Sequence, residues 1–136
     1  MRDVEELLRQ VAQWKKKADA DYRAALTLLK AHDATLSDVV CFHAQQVIEK
    51  YIKAYLVLSR IGFPRTHQIS ELSALLPQSS RPDLAEEDEK RLSDYAVAIR
   101  YPGEAEHISL NEAEEALGLA RRVRTYFRRK LAEEGA

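Results

Sequence analysis

Residues 41–56 read CFHAQQVIEKYIKAYL, an apolar run interrupted at close spacing by His43, Gln45, Gln46, Glu49, Lys50 and Lys53. Gln46, Lys50 and Lys53 recur at three- and four-residue steps, so a helix sets one amide and two ammonium groups on a single face. Such a face can hold a polar or anionic ligand. It can equally be a solvated face on which Glu49 balances the lysines. His43 fits a bundle interior or a subunit seam, with its ring nitrogens bonded to a neighbouring side chain.

A second chemical group is RRVRTYFRRK, residues 121–130. Arg121, Arg124 and Arg128 fall on one helical face, with Arg122 and Arg129 beside it. A basic stripe of this kind can track a phosphate backbone. Cations near a helix C-terminus also suit the helix dipole, and Glu133 and Glu134 follow at once. Cys41 is the one cysteine, so an intrachain disulfide is excluded and cysteine-based metal sites are disfavoured. Beside Val39, Val40 and Phe42 it reads as a small buried hydrophobe. No metal-ligand cluster stands out, and no cofactor is expected.

These groups need helices to position them. Val4, Leu7, Leu8, Val11, Trp14, Ala18, Tyr22, Ala25 and Leu29 repeat in the helical period and predict a first helix over 3–31. Within it, Lys15–Lys17 and Asp19–Asp21 look like a solvated face. Thr35 with Asp38 predicts a capping box for a second helix, which runs to about Arg60 and ends at Gly62 with Pro64 beyond. THQISELSALLP predicts a short helix capped by Thr66, with His67 in its first turn, stopping before Pro77. A fourth helix is expected from about Ala85 to Arg100, its acidic first turn suiting the dipole. Ser109 with Glu112 predicts a capping box for the last helix, to about Leu131. In the second helix Val40, Ala44, Val47, Tyr51, Ala54 and Leu58 form one apolar stripe that Ile48, Ile52, Tyr55 and Leu56 widen. That girth marks a central helix, or one that also faces a partner.

No stretch alternates in the strand period, so the fold expected is all-α: an up-and-down helical bundle of four main helices plus one short helix, in a single domain over residues 1–136. The chain is 46% hydrophobic and 32% charged, a globular profile rather than a disordered one. A net charge of −1 gives no global case for nucleic acid, so any such contact needs a local patch. No apolar run has transmembrane length and no secretory leader pattern opens the chain, so no membrane association is expected and a cytoplasmic location is the default.

The stretch CFHAQQVIEKYIKAYLV, followed in order by RTHQISELSALL and DYAVAIRYPG and preceded by DADYRAALTLLK, resembles the HEPN family. The ordered match covers roughly residues 10–130. The resemblance implies an all-helical fold, a nucleotide- or RNA-directed role and a homodimer. It also implies a minimal nucleotidyltransferase partner in a toxin–antitoxin type pair. Several branches of the family are metal-independent RNases that carry an arginine and a histidine with four to six residues between them. Here Arg100, then YPGEAE, then His107 occupy that place.

In that role His107 would act as general acid/base on a ribose 2′-hydroxyl or leaving oxygen, and Arg100 would clamp the phosphate. The nucleotide- or RNA-binding set that accompanies them is His43, Gln46, Lys50, Lys53 and Tyr101. Arg60 and His67 share the spacing, so position in the fold, not spacing, favours the later pair. Tyr101 and Pro102 follow Arg100 where toxic members carry a polar residue. Ser109 stands where one branch carries a tyrosine. A non-catalytic nucleotide-binding or scaffolding subunit is the alternative.

Overall fold

Alanines set how closely the helices of this protein approach. On α1 (Arg2–Lys30), Val11, Ala18 and Ala25 recur every seven residues and are buried, at 0–1% exposure. They face α2 (Ser37–Leu58), whose Ala44, Val47, Tyr51 and Ala54 are equally buried. The structure, a computed structural model, describes residues 2–96 and 108–136. Three further helices complete it: α3 (Ile69–Leu75), α4 (Glu86–Asp94) and α5 (Leu110–Glu133), with 3-10 turns at Ala34–Leu36 and Gln78–Ser80.

The pairings along the helices give their directions. Tyr51 and His43 of α2 meet Asp19 and Asp21 of α1, an antiparallel order. Arg121 and Arg124 of α5 meet Tyr22 and Asp19 of α1, again antiparallel. Tyr95 meets Glu112 and Arg91 meets Glu115, so α4 and α5 are antiparallel as well. The result is the expected all-α up-and-down bundle, with α3 as the short extra helix. α2 packs against each of the other four helices. From Ala44 to Leu56 every residue but Lys50 is buried, in keeping with the wide apolar girth of this helix.

Four boundaries differ from the expectations. Thr35 does not cap α2; it gives its hydroxyl to Asp33 at 2.6 Å, and Asp33 also accepts from Thr35 N at 3.0 Å. That Asx turn builds the 3-10 turn from which α2 starts at Ser37. At the far end Arg60, not Gly62, takes the left-handed conformation (φ 58°). Ile61 N then bonds Leu56 O at 2.9 Å and Arg60 N bonds Val57 O at 3.0 Å, a Schellman closure. His67 lies ahead of α3, not in its first turn, and Ser93 Oγ of α4 receives the Ile69 N–H at 2.9 Å. α4 ends at Asp94, well short of Arg100. At α5 the expected cap is present, with Ser109 Oγ accepting from Glu112 N at 3.1 Å.

Candidate functional site

Two polar clusters flank the line along which α1 lies on α2. On one flank Asp21 Oδ1 sits 2.8 Å from His43 Nδ1, and Asp21 Oδ2 accepts from Lys50 Nζ at 2.5 Å. Burial pushes this carboxyl up, but the bonds from His43 and Lys50 outweigh it and leave Asp21 below the usual carboxylate range. An ionised carboxylate only accepts, so Nδ1 of His43 carries the proton and Nε2 is its remaining nitrogen. On the other flank Asp19 Oδ1 accepts from Tyr51 Oη at 2.5 Å and from Arg124 Nε at 2.9 Å. Burial, then the bond to Asp19, raises the Tyr51 phenol well above its ordinary value. Arg124 also stacks over the Tyr22 ring at 4.6 Å.

The remaining polar groups of α2 close a third, more deeply buried network around Glu49, which is 2% exposed. Glu49 accepts from Gln45 Nε2 at 3.0 Å and Lys53 Nζ at 2.9 Å, and lies 2.8 Å from His67 Nδ1. Gln45 also donates to the His67 carbonyl at 3.2 Å, and Gln46 donates to Gln45 Oε1 at 2.6 Å. Burial raises the Glu49 carboxyl, and these donors more than reverse it, so it too is held low. His67 thereby pins the segment between α2 and α3 to the body of the bundle. The Lys53 ammonium lies 5.4 Å from the Trp14 ring and 5.8 Å from the Phe63 ring, where cation–π attraction adds to its ion pair.

Gln46, Lys50 and Lys53 therefore do share a face, but it is not a solvated one. Gln46 and Lys53 are 9% and 7% exposed, and Lys53 is covered by Trp14 of α1 and Phe63 of the chain after α2. His43 and Lys50 keep about a quarter and a fifth of their side chains open, at 25% and 20%. His43 has the structural setting expected of a bundle histidine bonded to a neighbour. Asp19 and Asp21 overturn the reading of their stretch as solvated, since both serve as internal acceptors. A signal for this was present: aspartate forms helices poorly, yet two sit mid-helix around the buried Ala18 and Ala25. Arg100, Tyr101 and His107 lie outside the described residues.

Beside the described part of that segment, Tyr95 Oη donates to Glu112 Oε1 at 2.8 Å and ties the end of α4 to the first turn of α5. Burial, then this bond, raises the Tyr95 phenol. Cys41 is buried, and burial with the nearby Glu112 charge pushes its thiol up to about 12. It is an inert core residue, as its neighbours in sequence suggest. Among the described residues no group of acidic, histidine or cysteine side chains is arranged to hold a metal ion, and no helix is long and apolar enough to cross a membrane.

The model of the HEPN domain matches residues 11–130. Among solved structures, TT1696 from Thermus thermophilus is similar with a TM-score of 0.70 at 31% identity, covering 89% of this chain and 98% of that one. ST0689, an archaeal HEPN homologue, is similar in fold with a TM-score of 0.67 at 22% identity, covering 88% of this chain and 96% of that one. No curated protein matches the chain.

Proposed function

This chain belongs to the HEPN family, and we propose that it is the HEPN component of a toxin–antitoxin type pair with a minimal nucleotidyltransferase, cutting RNA without a metal through Arg100 and His107. The observation that carries this reading is the closure of α4 onto α5. Tyr95 bonds Glu112 at 2.8 Å, and Ser109 caps the same first turn of α5 at 3.1 Å. The segment that holds Arg100 and His107 thus departs and returns at neighbouring points, which supports a shared site at one end of the bundle. His107 then moves the proton of the attacking 2′-hydroxyl or of the leaving oxygen, while Arg100 holds the phosphate and offsets charge developing on it. Tyr101, next to Arg100, contacts the same RNA. In this reading two copies pair, two such segments share one cleft, and the protein works in the cytoplasm.

The test is cleavage of a mixed RNA substrate in EDTA by the unmodified protein beside Arg100→Ala and His107→Ala proteins shown to be folded by circular dichroism. Cutting by the unmodified protein alone supports the reading. Equal cutting by all three assigns the activity elsewhere. If none cuts while a family RNase works in the same tube, a non-catalytic nucleotide-binding or scaffolding subunit replaces it.

A further inference from the structure

Among the described residues Gly118 is the only glycine inside a helix, and nothing in the chain requires it. A glycine in a helix interior is less favourable than alanine, because it loses more backbone freedom on folding. Apart from the helix's own backbone, no atom lies within 4 Å of the place its Cβ would take, so no internal packing uses the gap. Gly118 is part-exposed on the outer side of α5. Beside it a depression of about 360 Å³ runs between α4 and α5, lined by Asp88, Arg91, Glu115, Leu119 and Arg122.

The polar residues of that face are arranged symmetrically about the glycine. Glu114 and Glu115 precede it by four and three residues, and Arg121 and Arg122 follow it by three and four. Asn111 and Thr125 stand seven residues to either side, and all six are exposed. About 10 Å of helix separates Glu114 from Arg121, and Glu115 from Arg122, too far for the pairs one turn apart that balance a solvated face. Partners within the chain take only part of their capacity. Arg121 donates to Tyr22 Oη at 2.8 Å, Arg122 to the Asp83 carbonyl at 2.8 Å, and Glu115 lies 3.7 Å from Arg91 at the surface. Each guanidinium keeps further N–H donors. Among the described residues Glu114 has no hydrogen bond or ion pair.

We propose that a second copy of this chain docks on this face, its α5 antiparallel to the first across a two-fold axis at Gly118. Such an axis sets each residue before Gly118 opposite the one equally far after it on the other copy. Glu114 then meets the partner's Arg122, Glu115 meets the partner's Arg121, and Asn111 meets the partner's Thr125. The two glycines let the helix backbones approach where side chains would hold them apart. Two carboxylates and two guanidiniums leave the face without net charge, which disfavours a phosphate backbone. None of the exposed large hydrophobic residues is on α5, which disfavours an apolar occupant. Gly118 lies about 12 Å along α5 from Leu110, so the axis falls away from the end of the bundle assigned to the RNA cleft. The contact is additional to the pairing proposed above. A chain that makes both forms a tetramer, and one that makes only this contact forms a dimer.

Sedimentation velocity of the full-length protein reads the assembly at low salt and at about 1 M salt, where charges are screened beyond about 3 Å. A doubling of mass at low salt that high salt removes is expected, between monomer and dimer or between dimer and tetramer. Two double variants, Glu114→Arg with Glu115→Arg and Arg121→Glu with Arg122→Glu, each set like charges opposite one another. Each should weaken this step by about tenfold or more. An equimolar mixture of the two should restore it, because an all-arginine face then meets an all-glutamate one, and misfolded chains would not do so. Gly118→Gln places a better helix former in open space, so in high salt it should melt at the same or a higher temperature. At low salt it should associate more weakly. An assembly indifferent to salt and to both reversals overturns the contact, as does a mixture that stays dissociated. RNA cleavage by Arg100 and His107 is read in a separate assay, so failure of that reading and failure of this contact are distinguishable.

Discussion

Asp21 on α1 holds His43 on α2 at 2.8 Å and, through its other oxygen, Lys50 at 2.5 Å, so one carboxylate spans two turns of the central helix. Asp21→Ala leaves two partly buried cationic or donor groups without an acceptor. The expected loss is about 1–3 kcal/mol of unfolding free energy, since both donors can turn partly to solvent. Urea unfolding measures it. The Asp21→Ala/His43→Ala pair should fall short of the sum of its singles, because the residues share one bond. Strict additivity would mean that this contact contributes nothing.

Glu49 is buried with Lys53, and breaking such a pair from one side strands a charge. Glu49→Ala should cost about 3–5 kcal/mol. A double substitution, Glu49→Leu with Lys53→Met, removes both charges and should recover much of that loss. If the double variant is less stable than Glu49→Ala alone, Lys53 is satisfied by something other than Glu49.

The acid side of the stability curve follows from Asp21 and Glu49, whose folded carboxyls are both held below their ordinary values. Between the folded and unfolded values the unfolded chain binds more protons, so stability rises with pH there. Their contribution is complete above the unfolded carboxylate range, about pH 4, and is lost as pH falls through the lower folded values. Glu89 runs the other way, because burial raises its carboxyl. Urea midpoints should therefore drop on acidification below about pH 5, and less steeply in Glu49→Gln. A midpoint that stays level from neutral pH to about pH 3 would contradict this.

Among the described residues, Ser37 Oγ at the start of α2 is buried without a hydrogen-bond partner. Ser37→Ala removes an unsatisfied hydroxyl and substitutes a better helix former, so the expected change is between neutral and about 1 kcal/mol more stable. Thermal melts at matched conditions check it. A clear loss would show that the hydroxyl is bonded in solution.

Cys41 is buried and its thiol is pushed up to about 12, so the thiolate that reacts is scarce and covered. Labelling by a soluble thiol reagent should be slow in the native protein and should accelerate in step with unfolding by urea. Rapid labelling without denaturant would place Cys41 in a region that opens locally.

Much was legible before the fold was known. The helical period of Val11, Ala18 and Ala25, the Ser109 cap and the apolar girth of α2 are local patterns, and each appears where the periodicity puts it. Helix ends were less legible. Arg60 closes α2 although Gly62 is the residue suited to the turn, because the Schellman bonds to Leu56 and Val57 outweigh a modest cost at a positive φ.

By itself the sequence determined that this chain is an all-helical bundle of the HEPN family with α2 at its centre, since backbone periodicity and ordered motifs are properties of neighbours along the chain. Tertiary structure alone decided which polar groups are spent internally. Lys53 and Gln46 look solvated on an isolated helix and are buried in the bundle, Lys53 beneath Trp14 of α1 and Phe63 of the following segment. Asp19 and Asp21 look like surface charge and become internal acceptors between helices distant in sequence. A side chain's solvation is set by whatever packs over it, and that partner lies 20 to over 100 residues away.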